Sequence, residues 1–242
     1  MKWTYDTRIQ RAAELIPQFP AAAELLVFYR ELAAFQQPIF ETLRSRGETD
    51  VSALAVYFDP LAELVVRCGP QSMAGKTCLR TELLQSAWED DLKDPYVRFA
   101  ARVLLQPYAE SLASRGDVQS QPESKVCPFC SAWPVAGVLR GEGEGAKRWL
   151  LCSLCGTEWP FRRVLCPGCG EEDKDKLPIF KAAGFDSVRV DACDTCQTYL
   201  KSVDLTVDGH AVPVVDEIAT VALNIWAEEH GYAKLETNLL GM

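Results

Sequence analysis

Eight of the ten cysteines in this 242-residue chain stand in four Cys-x-x-Cys knuckles: Cys127 with Cys130, Cys152 with Cys155, Cys166 with Cys169, and Cys193 with Cys196. Two intervening residues let a tight turn aim both sulfurs at one metal ion, so pairs of such knuckles form the zinc-ribbon or rubredoxin-like pattern. The third knuckle follows the first by 39 residues and the fourth follows the second by 41, while the gaps inside each pair hold 21 and 23 residues. Two copies of one module account for that repeat. Only 10 residues separate Cys155 from Cys166, which leaves a metal shared by the central knuckles open. Sequential pairing is preferred because it explains the repeat: Cys127, Cys130, Cys152 and Cys155 in residues 125–165, and Cys166, Cys169, Cys193 and Cys196 in residues 166–205.

Within each module the gap reads as a hairpin. Val135 to Arg140, a Gly-rich turn and Arg148 to Leu151 form the first; Leu177 to Lys181, Ala183-Gly184 and Ser187 to Val190 form the second. Gly156 and Gly170 directly follow their knuckles, where the lack of a Cβ permits the backbone such turns use.

The start of the chain, Met1 to Asp6, lacks the apolar stretch of a secretory signal, and no later run approaches the roughly 18 apolar residues that span a bilayer. The expectation is a cytoplasmic protein without membrane insertion, whose thiols stay reduced and bind metal rather than pair as disulfides. Four sulfurs in a tetrahedron accept iron or zinc alike, so two metal ions of either kind are expected. A closed four-cysteine site offers no open position for Lewis-acid catalysis. The two histidines, His210 and His230, stand apart from any candidate nucleophile, and no catalytic residues are assigned. Cys68 and Cys78 read as buried small hydrophobes.

Residues 1–124 read as a helical domain closed by a linker. Apolar residues recur at three- and four-residue spacings, as in Leu25, Leu26, Phe28, Tyr29, Leu32, Ala33 and Phe35. Asp59-Pro60 and Asp94-Pro95 look like helix starts, and Gly69-Pro70 like a stop. Met73, Trp88 and Tyr96 fit the helical core, and the polar stretch from Ser114 to Ser124 fits a linker. Residues 206–242 read as one helix from Val214 to His230, then a tail that folds back on the body. The fold class expected is α+β: an N-terminal helical domain, two tandem rubredoxin-like or zinc-ribbon modules and a C-terminal helix. A formal charge of −9, shared almost evenly between the two halves, opposes a nucleic-acid partner. A dithiol or rubredoxin-like redox protein and a zinc-ribbon nucleic-acid binder are the alternatives to a binding or assembly role.

The order of the knuckles, with Thr157-Glu158-Trp159 after the second and Thr198-Tyr199-Leu200-Lys201 after the fourth, resembles the FdhE family of formate dehydrogenase accessory proteins. The resemblance covers Cys127 to about Leu240. It implies a cytosolic maturation factor acting on the molybdenum- or tungsten-containing catalytic subunit of formate dehydrogenase, with iron in the cysteine modules. Trp159 and Arg163, at the junction of the modules, combine the aromatic and cationic groups enriched at interfaces and are candidate partner-binding residues. The competing reading of Trp159 is that it packs between the modules.

Overall fold

The computed structural model describes residues 3–76, 79–88, 92–116, 123–143 and 145–242. Cys78 and the middle of the expected linker lie outside the described residues. The N-terminal half is helical, with α1 Tyr5–Leu15, α2 Ala23–Arg46, α3 Phe58–Cys68, α4 Thr81–Trp88 and α5 Pro95–Arg115. The caps explain several of these limits. The Thr4 hydroxyl accepts the Thr7 N–H at the start of α1, and the Asp94 carboxylate accepts from Tyr96 and Val97 at the start of α5, with Pro95 in its first turn. Gly47 ends α2 in the left-handed conformation, φ +66°.

Two expected boundaries move. Helix α3 begins one residue before Asp59, straight out of a 3-10 turn over Val51–Tyr57, so Pro60 sits inside its first turn. Helix α5 continues through Ser114 and Arg115, residues assigned to the linker from their small, polar character. The long helices α2 and α5 pack through Phe28 stacked on Phe99 at 5.9 Å and through Gln36, whose buried amide donates to the Val103 carbonyl and to Gln106. Met73 and Trp88 pack against this core.

The C-terminal half is built on one seven-stranded sheet. Its strands are β1 Pro134–Glu142, β2 Gly145–Cys152, β3 Glu158–Phe161, β4 Ile179–Phe180, β5 Val188–Cys193, β6 Thr198–Asp204 and β7 Ala233–Lys234. The order is β3-β2-β1-β6-β5-β4, with β7 also paired to β6. Each module therefore contributes a three-stranded antiparallel unit, and the units join where β1 runs parallel to β6, Gly137 to Leu139 beside Ser202 to Asp204. Gly137 is required at that seam, since a Cβ there would lie 2.2 Å from the Ser202 hydroxyl.

The expected single C-terminal helix is two helices, α6 Pro213–Ala219 and α7 Val221–Glu229, broken at Thr220. Two side chains compete for the carbonyls there: the Thr220 hydroxyl, which donates to the Asp216 and Glu217 carbonyls at 2.9 and 3.2 Å, and Lys201 on β6. Its fully buried ammonium needs acceptors, and it takes the Glu217 carbonyl together with the Thr220 carbonyl and hydroxyl, while pairing with the Glu217 carboxylate at 3.0 Å. Carbonyls that would continue a helix are thereby used elsewhere. Lys234 also pairs with the Glu217 carboxylate, and Asn238 donates to it at 2.7 Å. This polar lock ties the tail to the sheet, and Leu239 is buried in the main core.

Helix α6 sits between the helices and the sheet, held by Arg11 of α1, which donates to both carboxylate oxygens of Asp216 at 3.0 and 2.6 Å. One apolar core runs from α1, α2 and α5 through α6 into the first module, taking in Leu150, Leu154, Trp159 and Phe161. The second module has its own smaller cluster, Val188, Val190, Tyr199 and Val203 against Leu223 and Ala227 of α7.

Candidate metal centres

The eight knuckle cysteines come together as two groups of four, Cys127 with Cys130, Cys152 and Cys155, and Cys166 with Cys169, Cys193 and Cys196. Within each group all sulfurs lie within 4.8 Å of one another. Cys127–Cys155, Cys130–Cys152 and Cys130–Cys155 stand 3.4 to 3.5 Å apart in the first group, and Cys166–Cys196 and Cys169–Cys193 3.6 to 3.7 Å apart in the second. A tetrahedral ion with metal–sulfur bonds of about 2.3 Å has sulfur–sulfur edges of about 3.8 Å, so both groups could hold a metal ion. The sulfurs are also far beyond the roughly 2 Å of a disulfide.

Strand pairing builds each site. In the first, Pro134 to Glu142 pairs with Gly145 to Cys152, which brings the knuckle before β1 against the knuckle after β2. In the second, Ile179 and Phe180 pair with Val190 and Asp191, and Cys193 pairs with Thr198 at the end of β5. Backbone N–H groups of Phe129, Leu154 and Cys155 point at the sulfurs of Cys127 and Cys152, each at 3.4 Å. In both modules a threonine two residues after the last ligand stands beside it. Thr157 Oγ1 lies 3.1 Å from Cys155 Sγ, and Thr198 Oγ1 lies 3.0 Å from Cys196 Sγ.

All four knuckles share a left-handed residue directly after the second cysteine: Ser131 (φ 62°), Gly156 (φ 67°), Gly170 (φ 89°) and Gln197 (φ 55°). Glycine marked two of these positions in the sequence. The other two carry a Cβ in a conformation that side chains disfavour, and only the repeat itself could have flagged them. The paired Cys-x-Thr was visible in the sequence, though not its contact with sulfur.

Among the thiols, hydrogen bonds from Cys130, Cys152 and Cys155 push Cys127 well down, whereas burial pushes Cys152 well up. In the second site burial pushes Cys193 up to about 12; at Cys196 burial is outweighed by hydrogen bonds from Thr198 and the neighbouring thiols, which bring it to about 7. Four sulfurs this close share protons unevenly, and a divalent cation taking the place of those protons removes the conflict.

The surroundings differ. Cys127, Cys152 and Cys155 are buried in the main core. Beneath Gly156 lies a buried ion pair, Arg8 with Glu110 at 2.8 Å. In the second site Cys169 is exposed and Cys196 half-buried.

Trp159 lies inside the molecule, as the packing reading expects. It is 0% exposed, packs in the core shared by helices and first module, and donates its indole N–H to the Ser124 carbonyl at 2.7 Å. Trp159 and Phe161 are the buried residues of β3, alternating with the half-buried Glu158 and Pro160, so they form its inward face. Arg163 is on the surface, 3.4 Å from the Ala146 carbonyl. The histidines take no part: His210 is exposed, and the exposed His230 stacks on Trp226. Cys68 is half-buried, its thiol donating to the Leu64 carbonyl.

Residues 126–163 match the model of the FdhE central domain, and residues 164–240 that of the FdhE C-terminal domain. A protein FdhE homolog from Aquifex aeolicus is 32% identical over 207 residues, 81% of this chain and 72% of the homolog. One from Pseudomonas aeruginosa is 33% identical over 155 residues, 60% of this chain and 48% of its own length. Protein FdhE of Escherichia coli is 24% identical over 275 aligned positions, covering 98% of this chain and 88% of that protein. The crystal structure of the FdhE protein from Pseudomonas aeruginosa superposes with a TM-score of 0.69 at 21% identity, over 99% of this chain and 96% of that one. At that identity the likeness is one of fold. No helix among the described residues is long and apolar enough to cross a membrane.

Proposed function

Since the chain belongs to the FdhE family, we propose that it is a cytoplasmic accessory factor that binds the catalytic subunit of formate dehydrogenase and supports its assembly, with no catalytic chemistry of its own. In this reading residues 1–124 and 206–242 are scaffold, while residues 125–165 and 166–205 each hold one iron or zinc ion. The ligands are Cys127, Cys130, Cys152 and Cys155 in the first site and Cys166, Cys169, Cys193 and Cys196 in the second. The observation that carries the proposal is the family match together with two complete four-sulfur groups preformed on it. Iron in such a site supplies one-electron chemistry; zinc supplies rigidity alone. The protein's own residues orient the sulfurs through the hairpins and stabilise their charge through backbone N–H groups and the two threonines.

A rubredoxin-like redox protein is the second reading, favoured by the exposure of Cys169. Two measurements separate these. Metal content and the visible spectrum of protein purified without air identify the ion: two irons with thiolate-to-iron bands, or two zincs and no visible absorption. Co-purification with the catalytic subunit, and formate dehydrogenase activity in cells lacking this protein, test the accessory role. Full activity in such cells would sink it.

A further inference from the structure

Arg148 stands on β2 of the first module and is 4% exposed, yet its polar contacts are with the segment that joins the modules and with the second module itself. Its guanidinium lies 5.1 Å over the ring of Phe161, the residue opposite it on β3. From there Nη2 donates to the carbonyls of Arg162 and Leu165, both at 2.5 Å, and Nη1 pairs with Asp191 at 3.6 Å. Leu165 directly precedes Cys166, and Asp191 comes two residues before Cys193. One planar fork thus spans the approaches to both knuckles of the second site. Asp191 is itself anchored, by Arg189 at 2.8 Å and by the Ser202 hydroxyl at 2.6 Å, so the fork holds to a fixed group.

The second site needs such a brace more than the first. The long β1–β2 pairing sets the first two knuckles against each other, whereas β4 offers only Ile179 and Phe180 to β5. Strand pairing therefore fixes Cys166 and Cys169 less firmly. The charges also match. Arg148 and Arg189 face the single carboxylate of Asp191, while four thiolates around a divalent ion carry a net negative charge. Burial pushes the Arg148 guanidinium below its ordinary value; Asp191 and, after it, the Cys166 thiolate support its charge, against Arg189. A buried cation is costly to keep unless its neighbours use it.

We infer that Arg148 is a positioning residue of the second metal site, a first-module side chain that fixes where Cys166 and Cys193 stand and offsets the charge of their thiolates. The second site then reaches its full affinity for metal only with the first module folded beside it. The inference rests on the reading of the eight cysteines as two metal sites.

The test is equilibrium competition with a chelator on the full-length, metal-loaded chain, with alkylation of the freed thiols mapped to individual cysteines so that each site reports separately. Arg148→Met keeps an apolar stem over Phe161 and removes the charge and the donors. It should weaken the second site about tenfold or more, as loss of groups that orient metal ligands does, with Cys127, Cys130, Cys152 and Cys155 protected as in the wild type. Arg148→Lys returns the charge without the fork and should recover part of the loss, leaving the second site about threefold weaker than the wild type. A purely packing role would give no such recovery. Unchanged protection of the second site in Arg148→Met overturns the inference. Equal weakening of both sites also overturns it, as does an Arg148→Lys variant no better than Arg148→Met. Should Arg148→Met fail to fold, Arg148→Lys decides alone: a weaker second site beside an unchanged first supports the inference, and wild-type protection at both sites overturns it. A wild type that takes up no metal removes the metal-site reading itself.

Discussion

The two cysteine modules have the same knuckles, the same left-handed turn residues and the same threonine beside the last ligand, yet they are set in different surroundings. The first shares its core with α1, α2, α5 and α6; the second rests on a small cluster closed by α7 and leaves Cys169 in solvent. Local chemistry is thus repeated while the cost of losing it is not. What a metal site contributes to stability depends on how much of the molecule is folded against it.

The sharpest way to break this comparison is to remove one ligand from each site. Metal-binding energy is folding energy in small cysteine modules, on the order of 10 kcal/mol for structural zinc, and net protein stability is only about 5–15 kcal/mol. Cys152→Ser should therefore lose cooperative thermal unfolding of the whole chain, helices included, as followed by circular dichroism. Cys193→Ser should keep the helical transition and expose only the second module to protease. Equal damage from both would mean that the embedding does not matter.

Next in size is the polar lock that joins the second module to the helices. Glu217→Gln leaves the buried ammonium groups of Lys201 and Lys234 without their anion, at a cost of about 3–5 kcal/mol. The pH dependence has a definite sign. Burial alone would raise the Glu217 carboxyl, but Lys201 and Lys234 outweigh it and hold it at about 2. Its contribution is full above the ordinary carboxylate value of about 4.3 and is lost as pH falls through 2. Burial brings Lys201 down to about 8 against the pull of Glu217. Stability should thus rise as pH climbs from about 8 toward the ordinary lysine value of about 10.4. Chemical denaturation from pH 3 to 10 checks both limbs, and the Gln variant should lose the acid one.

A third comparison is kinetic. Chelator should remove metal in two phases, about tenfold or more apart, since release requires opening and the second site is already part open. Cys169→Ser should abolish the fast phase and leave the slow one. A single phase in the wild type would refute the difference in access.

The smallest effect compares the turns. Ser131 and Gln197 hold a conformation that costs a side-chain residue about 1 kcal/mol relative to glycine. Ser131→Gly and Gln197→Gly should each stabilise by roughly 0.5–1 kcal/mol, measured by thermal melting. The first should shift the global transition and the second only that of its own module.

The knuckles, the first hairpin and the helix caps at Gly69 and Asp94 were legible in the sequence because each depends on a few neighbouring residues. The break at Thr220 was not, because besides the local bonds of the Thr220 hydroxyl it depends on Lys201, nineteen positions away, whose burial no local pattern reveals. Trp159 reads on its own as an interface residue, and only the packing of α-helices over the first module turns it inward. The second hairpin was legible in place but not in extent: β4 is two residues long, and β5 pairs mainly with β6 beyond the fourth knuckle.

The parallel seam between β1 and β6 joins unlike edges, the first strand of one ribbon to the third strand of the next. A joint of that kind does not close on itself as a two-fold would; repeated, it would add ribbon after ribbon into an open-ended filament. Growth is stopped at both outer margins, by a two-residue strand at Ile179–Phe180 and by Pro160, which has no N–H to offer, in the four-residue strand at the other. The β3 margin is closed a second time by the chain before the first knuckle, whose Glu123 N–H donates to the Pro160 carbonyl at 3.2 Å.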